Sequence, residues 1–373
     1  MSKLEELIAE LCPDGVEYVK LKEVAQISAG GDLPKKYAKG QKVPTEQYPY
    51  PIYSNGTEGG ALYGFTDSYK IEKEAVTISA RGTIGYHEVR AGKFTPIVRL
   101  ITMIADESKI TTKFLHYAMY VAGIEGVTTG IPSLTVPMLE KFTIPLPPLP
   151  VQSEIVRILD NFTELTAELT VELTARKKQY GYYRKQLLTF GDDTPIMQVG
   201  SLCDVYTGGE APEDCIKGNV KDIEHPYPVW GNGKDIYGYA SSYRIDKDAV
   251  VISSIGANTG AVYFREAFFT PIIRLKVIIP KTSNLNMRYL FHALSAVKIV
   301  SKSSSVPNMN ANEIKKIVIA YPPVAQQERI ADILDRFDTL CNDITDGIPA
   351  EIEARTKQYE YYRDKLLTFK ELS

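Results

Sequence analysis

The chain has 373 residues, 44% of them apolar, and a formal net charge of −3 at pH 7. That length and apolar content suit two globular domains with buried cores, while the longest apolar runs fall far short of the roughly 20 residues that a membrane span needs. The near-neutral charge excludes a protein that grips DNA by a basic stripe of its own, and four scattered cysteines (Cys12, Cys203, Cys215, Cys341), without a CxxC pair or zinc spacing, read as reduced structural thiols.

In chain order, the start MSKLEELIAEL carries acidic residues and lacks the basic flank and apolar stretch of a secretory signal, so the chain is expected to stay in the cytoplasm. Segments 18–27, 75–80 and 93–104 are rich in Val, Ile, Thr, Tyr and Phe between Gly, Pro and Asn, which predicts strands; 112–121 predicts a short helix. Pro147-Pro148 closes this part. Apolar and aromatic positions then recur in steps of three and four (Ile155, Ile158, Phe162, Leu165, Leu169, Leu173, Arg176, Tyr180, Tyr183, Leu187), the period of an interhelical seam. The plan then restarts, with strands at 249–253 and 268–279, a short helix at 287–297, and Pro322-Pro323. A second seam runs through Ile330, Ile333, Phe337, Leu340, Ile344, Ile348, Ile352, Arg355, Tyr359, Tyr362 and Leu366. Four extra residues between Ile344 and Arg355 form a stutter that keeps the seam on one face, although Gly347 and Pro349 are residues that end and begin helices.

The expected organisation is therefore a globular domain at 1–148, a spacer helix at 149–190, a second globular domain at 191–323 and a C-terminal spacer helix at 324–373. The fold class is α+β: two strand-rich globular domains separated by two long antiparallel helices, with an internal pseudo-two-fold repeat.

The repeat is direct to read. ARKKQYGYYRKQLLTF (175–190) returns as ARTKQYEYYRDKLLTF (354–369); Gly30-Gly31 returns as Gly208-Gly209, PYPIYSNG as PYPVWGNG, and FTPIVRL as FTPIIRL. Packing alone tolerates exchange among apolar residues, yet outward-looking helical residues repeat as well. A partner present in two copies would demand that, which makes Arg176, Lys178, Gln179, Tyr182, Arg184 and their counterparts Arg355, Lys357, Gln358, Tyr361, Arg363 candidates for partner binding.

No catalytic or metal site emerges. Gly231-Asn232-Gly233-Lys234 lacks P-loop spacing, and the Pro-Pro pairs lack the preceding Asn or Asp that an adenine methyltransferase uses. PDGVEYVK and PEDCIK are misspaced for a metal nuclease, and His87, His116, His225 and His292 fit ordinary surface or core roles. What differs between the halves is loop content. Lys35, Lys36 and Tyr37 face Glu213 and Asp214 in the copy, and Arg81 and Thr83 face Asn258 and Thr259. With Asn55, Thr57, Ser133, Asn232, Lys234, Ser254 and Asn308, these are the groups that read base edges in a major groove.

Two variable domains, each followed by Pro-Pro-x-x-x-Q with ILDxF (147–162; 322–337) and then ARxKQYxYYRxxLLTF, resemble the specificity subunit of type I restriction-modification systems over essentially the whole chain. That resemblance implies a non-catalytic subunit whose globular domains each read one half of an asymmetric, bipartite site in double-stranded DNA. It implies helices that set the gap and dock two methyltransferase subunits, with restriction subunits joining the complex. S-adenosylmethionine, ATP and Mg²⁺ would belong to those partners, not to this chain. Half-site centres are expected about one helical turn, roughly 34 to 36 Å, apart. The alternatives are an autonomous DNA methyltransferase or nuclease, and a scaffold without a nucleic-acid role. The first helix lacks the Gly-Ile-Pro insert of the second, so the two docking faces need not be equivalent near Leu173.

Overall fold

The computed structural model describes residues 3–124, 133–256, 258–297, 309–343 and 345–372; Asn308 and the seam residue Ile344 lie outside the described residues. Each half builds the same sheets. In the first, Ala25–Ala29, Leu100–Ala105, Ala75–Ser79 and His87–Arg90 pair in that order, all antiparallel, and Tyr37–Lys39, Leu62–Thr66, Tyr50–Tyr53 and Thr95–Pro96 form a second sheet whose last pair is parallel. In the second half the counterparts are Cys203–Thr207, Lys276–Pro280, Ala249–Ile252 and Val262–Arg265, then Ile216–Lys217, Ile236–Ala240, Tyr227–Trp230 and Thr270–Pro271. Glu17–Lys20 pairs with Thr143–Leu146, and Ile196–Gln198 with Val318–Ala320.

Three expected strands are broken, 268–279 among them, which splits into Thr270–Pro271 and Lys276–Pro280. The segment 18–27 is interrupted by a helical turn, Leu21–Val24, that buries Leu21 and Val24. The segment 93–104 splits into Thr95–Pro96 and Leu100–Ala105 because Arg99 turns to a φ of 72°, and Phe268, Ile273 and Arg274 are likewise positive in the copy. The short helices run Thr112–Ala118 and Met287–Ala296, capped by the side chains of Thr111 and Asn286.

The first long helix, Leu149–Leu187, is about 58 Å long at 1.5 Å per residue. The second is two helices, Val324–Asn342 and Ile348–Leu367. The stutter thus becomes a break, with Pro349 in a new first turn. A Cβ on Gly347 would lie 2.5 Å from the Thr339 carbonyl oxygen and 2.6 Å from that of Asp343, so the break depends on the missing side chain.

The chain divides into two compact units, Met1–Glu168 with Ile352–Ser373, and Leu169–Glu351. Each contains one segment of both long helices. In the first unit Phe162 stacks on Tyr362 (5.5 Å, 20°), and in the second Tyr183 stacks on Phe337 (5.4 Å, 25°). These are the same contact of the repeat with the roles exchanged. The seam is not uniformly sealed: Ile155, Tyr180 and Ile330 are buried, whereas Leu165 and Leu340 are each 36% exposed.

The two recognition motifs are joints between helix and globular domain. Gln152 is fully buried; its Oε1 accepts the Thr111 N–H (3.0 Å), and its Nε2 donates to the carbonyls of Lys109 and Pro147 (both 2.8 Å). Gln327 repeats this with Asn286, Asn284 and Pro322. Asp160 accepts from Lys113 and the Tyr117 hydroxyl, and Asp335 from Arg288 and His292. Burial opposes ionisation of Asp335, but the bonds from Arg288 and His292 outweigh it and hold the carboxyl below its usual range.

Candidate nucleic-acid interface

Each half gathers four pieces of chain at one edge of its sheets: the Asn-Gly loop, the loop leaving the strand at 75–79 or 249–252, the FTP-I-x-R-L turn, and residue 134 or 309. In the first half the Asn55 Nδ2 donates to the Arg81 carbonyl (3.0 Å), the Gly56 N–H to the Ser79 hydroxyl (3.2 Å), the Ala80 N–H to the Arg99 carbonyl (2.9 Å), and the Leu134 N–H to Ala80 (2.9 Å). In the second, the Asn232 amide bridges the Ser254 N–H and the Ile273 carbonyl, the Ser254 hydroxyl donates to the Arg274 carbonyl (2.7 Å), and the Met309 N–H to Ser254 (2.8 Å). The Gly-Gly pairs make the close approach possible: a Cβ on Gly30 would fall 2.2 Å from the Ile97 carbonyl oxygen, and one on Gly208 would fall 2.8 Å from the carbonyl carbon of Pro271. In each half an arginine lies over an aromatic ring, the buried Arg90 over Tyr53 (4.1 Å) and the half-buried Arg265 over Trp230 (3.6 Å). Burial lowers the pKa of Arg265 to about 10.

The candidate readers separate on this scaffold. Arg81 and Ser133 line one cavity of about 420 Å³ together with Arg99. Thr57, Thr83 and Asn258 are exposed on their loops; Thr259 is half-buried, its hydroxyl bonded to the Gly256 carbonyl (2.6 Å). Lys35 and Lys36 are exposed, and Tyr37 is the first residue of an edge strand rather than part of the loop, packed near Tyr63. Ser254 must be withdrawn as a reader, since it is fully buried and spends its hydroxyl on the backbone. Asn232 must be withdrawn too, both ends of its amide being used in the platform, and the Asn55 NH₂ is similarly committed. Lys234 lines a groove together with Lys177, Arg265 and Arg288. Arg99 and Arg274 were missed because a strand-like motif gave no sign of a turn; their repetition within FTP-I-x-R-L was the available signal.

On the helices, Tyr182 and Tyr361 are each 61% exposed, edge-on to Tyr183 and Tyr362. Lys178 is exposed, and Lys357 pairs with Glu353. Arg176 is engaged by Glu172 and Gln179, and Arg355 by Gln358. Arg363 is a correction. It packs over Tyr120 (4.5 Å) in the first globular domain and binds Asp364, leaving little of it for a partner, whereas Arg184 lies over Tyr180 of its own helix. Near Arg363, His87 and His116 share a 3.0 Å contact between Nδ1 atoms; burial pushes their pKa values down to about 3 and about 4, as befits neutral imidazoles.

The class so defined is a duplicated α+β binding protein, two loop platforms of different character on one scaffold, joined to paired helices. The model of the type I restriction modification DNA specificity domain matches residues 13–176 and 192–354. The specificity subunit of the EcoR124I/EcoR124II type I restriction enzymes of Escherichia coli is 31% identical over 408 residues, covering 99% of this chain and 97% of that one. A Mycoplasma pneumoniae protein described as a type I specificity subunit is 30% identical over 357 residues, covering 93% and 96%. The crystal structure of the type I restriction-modification S subunit from M. genitalium shares the fold, with a TM-score of 0.67 at 16% identity over 95% of this chain and 96% of that one. The chain belongs to the type I restriction modification DNA specificity family, with one specificity domain in each half.

Proposed function

We propose that this chain is the non-catalytic reading subunit of a type I restriction-modification complex. Each globular domain reads one half of an asymmetric, bipartite site in duplex DNA, the paired helices set the unread gap, and two methyltransferase subunits dock on the repeated helical stretches, with restriction subunits completing the assembly. S-adenosylmethionine, ATP and Mg²⁺ act in those partners. Kinship with specificity subunits supports the division of labour. The observation that carries the reading is the duplication itself: the Asn-Gly, Gly-Gly and FTP-I-x-R-L segments that frame each platform are shared, while the loops beside them, with Arg81 and Thr83 against Asn258 and Thr259, differ. A shared frame with unlike faces is what two readers of unlike half-sites need.

The test lengthens the spacer. Four residues inserted after Thr174, about one helical turn, are expected to change the gap between methylated half-sites and leave both half-site sequences as they were, as read by sequencing methylated bases in cells carrying the complex. Altered half-sites with an unchanged gap would refute the assignment of helices to spacing.

A further inference from the structure

Within FTP-I-x-R-L almost every repeated residue is repeated for packing. Phe94, Thr95, Pro96, Ile97 and Leu100 are buried, as are Phe269, Thr270, Pro271, Ile272 and Leu275. Val98 and Ile273 are exposed and differ, as surface positions do. Arg99 and Arg274 are exposed and identical.

Their backbone makes the identity harder to explain by packing. The Leu100 N–H donates to the Ile97 carbonyl and the Leu275 N–H to the Ile272 carbonyl, closing a four-residue turn in each half. Arg99 has a φ of 72° at the third position, and Ile273 and Arg274 have φ of 52° and 59° at the second and third, the φ signs of type II and type I′ turns. Both types favour Gly or Asn at that third position. An arginine kept there twice, against the preference of the backbone, has a task that both halves share.

The surroundings say what that task binds. Among the described residues, the cavity beside Arg99 is lined by a second guanidinium, Arg81, by Ser133 and Thr135 and by apolar groups, without a carboxylate. In the copy, the Lys276 ammonium is buried and donates to the Thr207 hydroxyl (3.1 Å); burial lowers its pKa, and the charge of Arg274 lowers it further. Among the described residues, neither the Arg99 nor the Arg274 side chain has a hydrogen-bond or ion-pair partner. Among the described residues, each turn is a pair of cations without a counter-ion.

We infer that Arg99 and Arg274 are backbone clamps, each guanidinium binding a DNA phosphate at its own half-site and fixing the register of that domain without choosing the sequence. A residue common to two readers of different sequences cannot be what tells those sequences apart; the phosphate is the group that both half-sites share. The planar guanidinium matches it in two-pronged geometry. An acidic protein face is the other anion a shared arginine could meet, but the adjoining Arg81 sits in a loop that differs between halves, as a base reader does and a contact to identical partners does not.

The inference rests on the DNA-reading role proposed above, and its test separates the two. Arg99→Gly and Arg274→Gly, each with its lysine counterpart, are assembled with the methyltransferase subunits. Affinity is measured against salt for the target duplex and for one with both half-sites scrambled. Each glycine variant is expected to lose roughly 5- to 10-fold in affinity for both duplexes alike, to reduce the salt slope by about 0.9, and to keep the target-to-scrambled ratio. Its Tm should be no lower than that of the parent, since glycine suits the positive φ, so misfolding cannot mimic the result. Lysine variants should retain most of the slope.

A changed target-to-scrambled ratio would make the arginine a base reader and overturn the inference. Unchanged affinity and slope would overturn it as well, and loss of a methyltransferase subunit alongside would identify the arginine as a protein contact. A parent complex that does not distinguish the duplexes would count against the sequence-reading role, while the slope on scrambled DNA would still decide the clamps.

Discussion

Gln152 and Gln327 show how one side chain can join two structural elements. A primary amide offers an acceptor and two donors, and in both halves all three are used, at the N-terminus of the long helix, on backbone groups of the globular domain. Removing the buried amide leaves three backbone groups without their partner, which costs more than the bonds themselves were worth where those groups are shielded from water. Gln152→Leu is expected to destabilise the first unit by about 2 to 4 kcal/mol, measured by urea unfolding of the chain. A loss under about 0.5 kcal/mol would mean that the joint is held by apolar contacts alone. The motif letters Q, D and F are therefore legible as structure: glutamine joins helix to domain, aspartate binds the short helix through Lys113 or Arg288, and phenylalanine meets the opposing helix.

At the scale of elements, the informative departure is the broken second helix. Periodicity alone described a continuous rod with a four-residue stutter, because the heptad arithmetic is satisfied whether or not the backbone stays helical. The break follows from Gly347, whose Cα approaches the carbonyl oxygens at the end of the preceding helix too closely for a side chain. Gly347→Ala is accordingly expected to cost about 1 to 3 kcal/mol in the second unit, read as a lower midpoint in chemical denaturation, with the first unit unaffected. A variant of undiminished stability would show that the helix ends can separate freely. The strand at 93–104 failed as a single element for a related reason: residue type favours strand throughout, while the positive φ of Arg99 is imposed by contacts with Gly30-Gly31 and the 80–81 loop, far away in sequence.

For the whole molecule, duplication turns partner docking into a counting problem. Tyr182 and Tyr361 occupy the same place in the repeat with the same exposure and the same neighbouring ring, so a partner that uses one uses the other. Under the proposed function, Tyr182→Ala is expected to yield complexes with one methyltransferase subunit in place of two, and the double variant with Tyr361→Ala none, by native mass spectrometry. Full occupancy in the double variant would remove the tyrosines from the interface. The engagement of Arg363 with Tyr120, unmatched at Arg184 among the described residues, makes the two faces unequal, and the Tyr361 site is expected to be the less sensitive to loss of its arginine.

What the sequence determined by itself was whatever local pattern and internal comparison encode: the two-fold plan, the strand-rich halves, the long helices, the family resemblance, and the loops that differ. These survive without coordinates because periodicity and repetition are properties of the string. Only the tertiary structure decided that Ser254 is buried, that the Asn232 amide is consumed by its own platform, and that Arg99 and Arg274 stand at strained turns facing outward. Exposure, hydrogen-bond satisfaction and positive φ each depend on groups distant in the chain, and a residue's type records none of them.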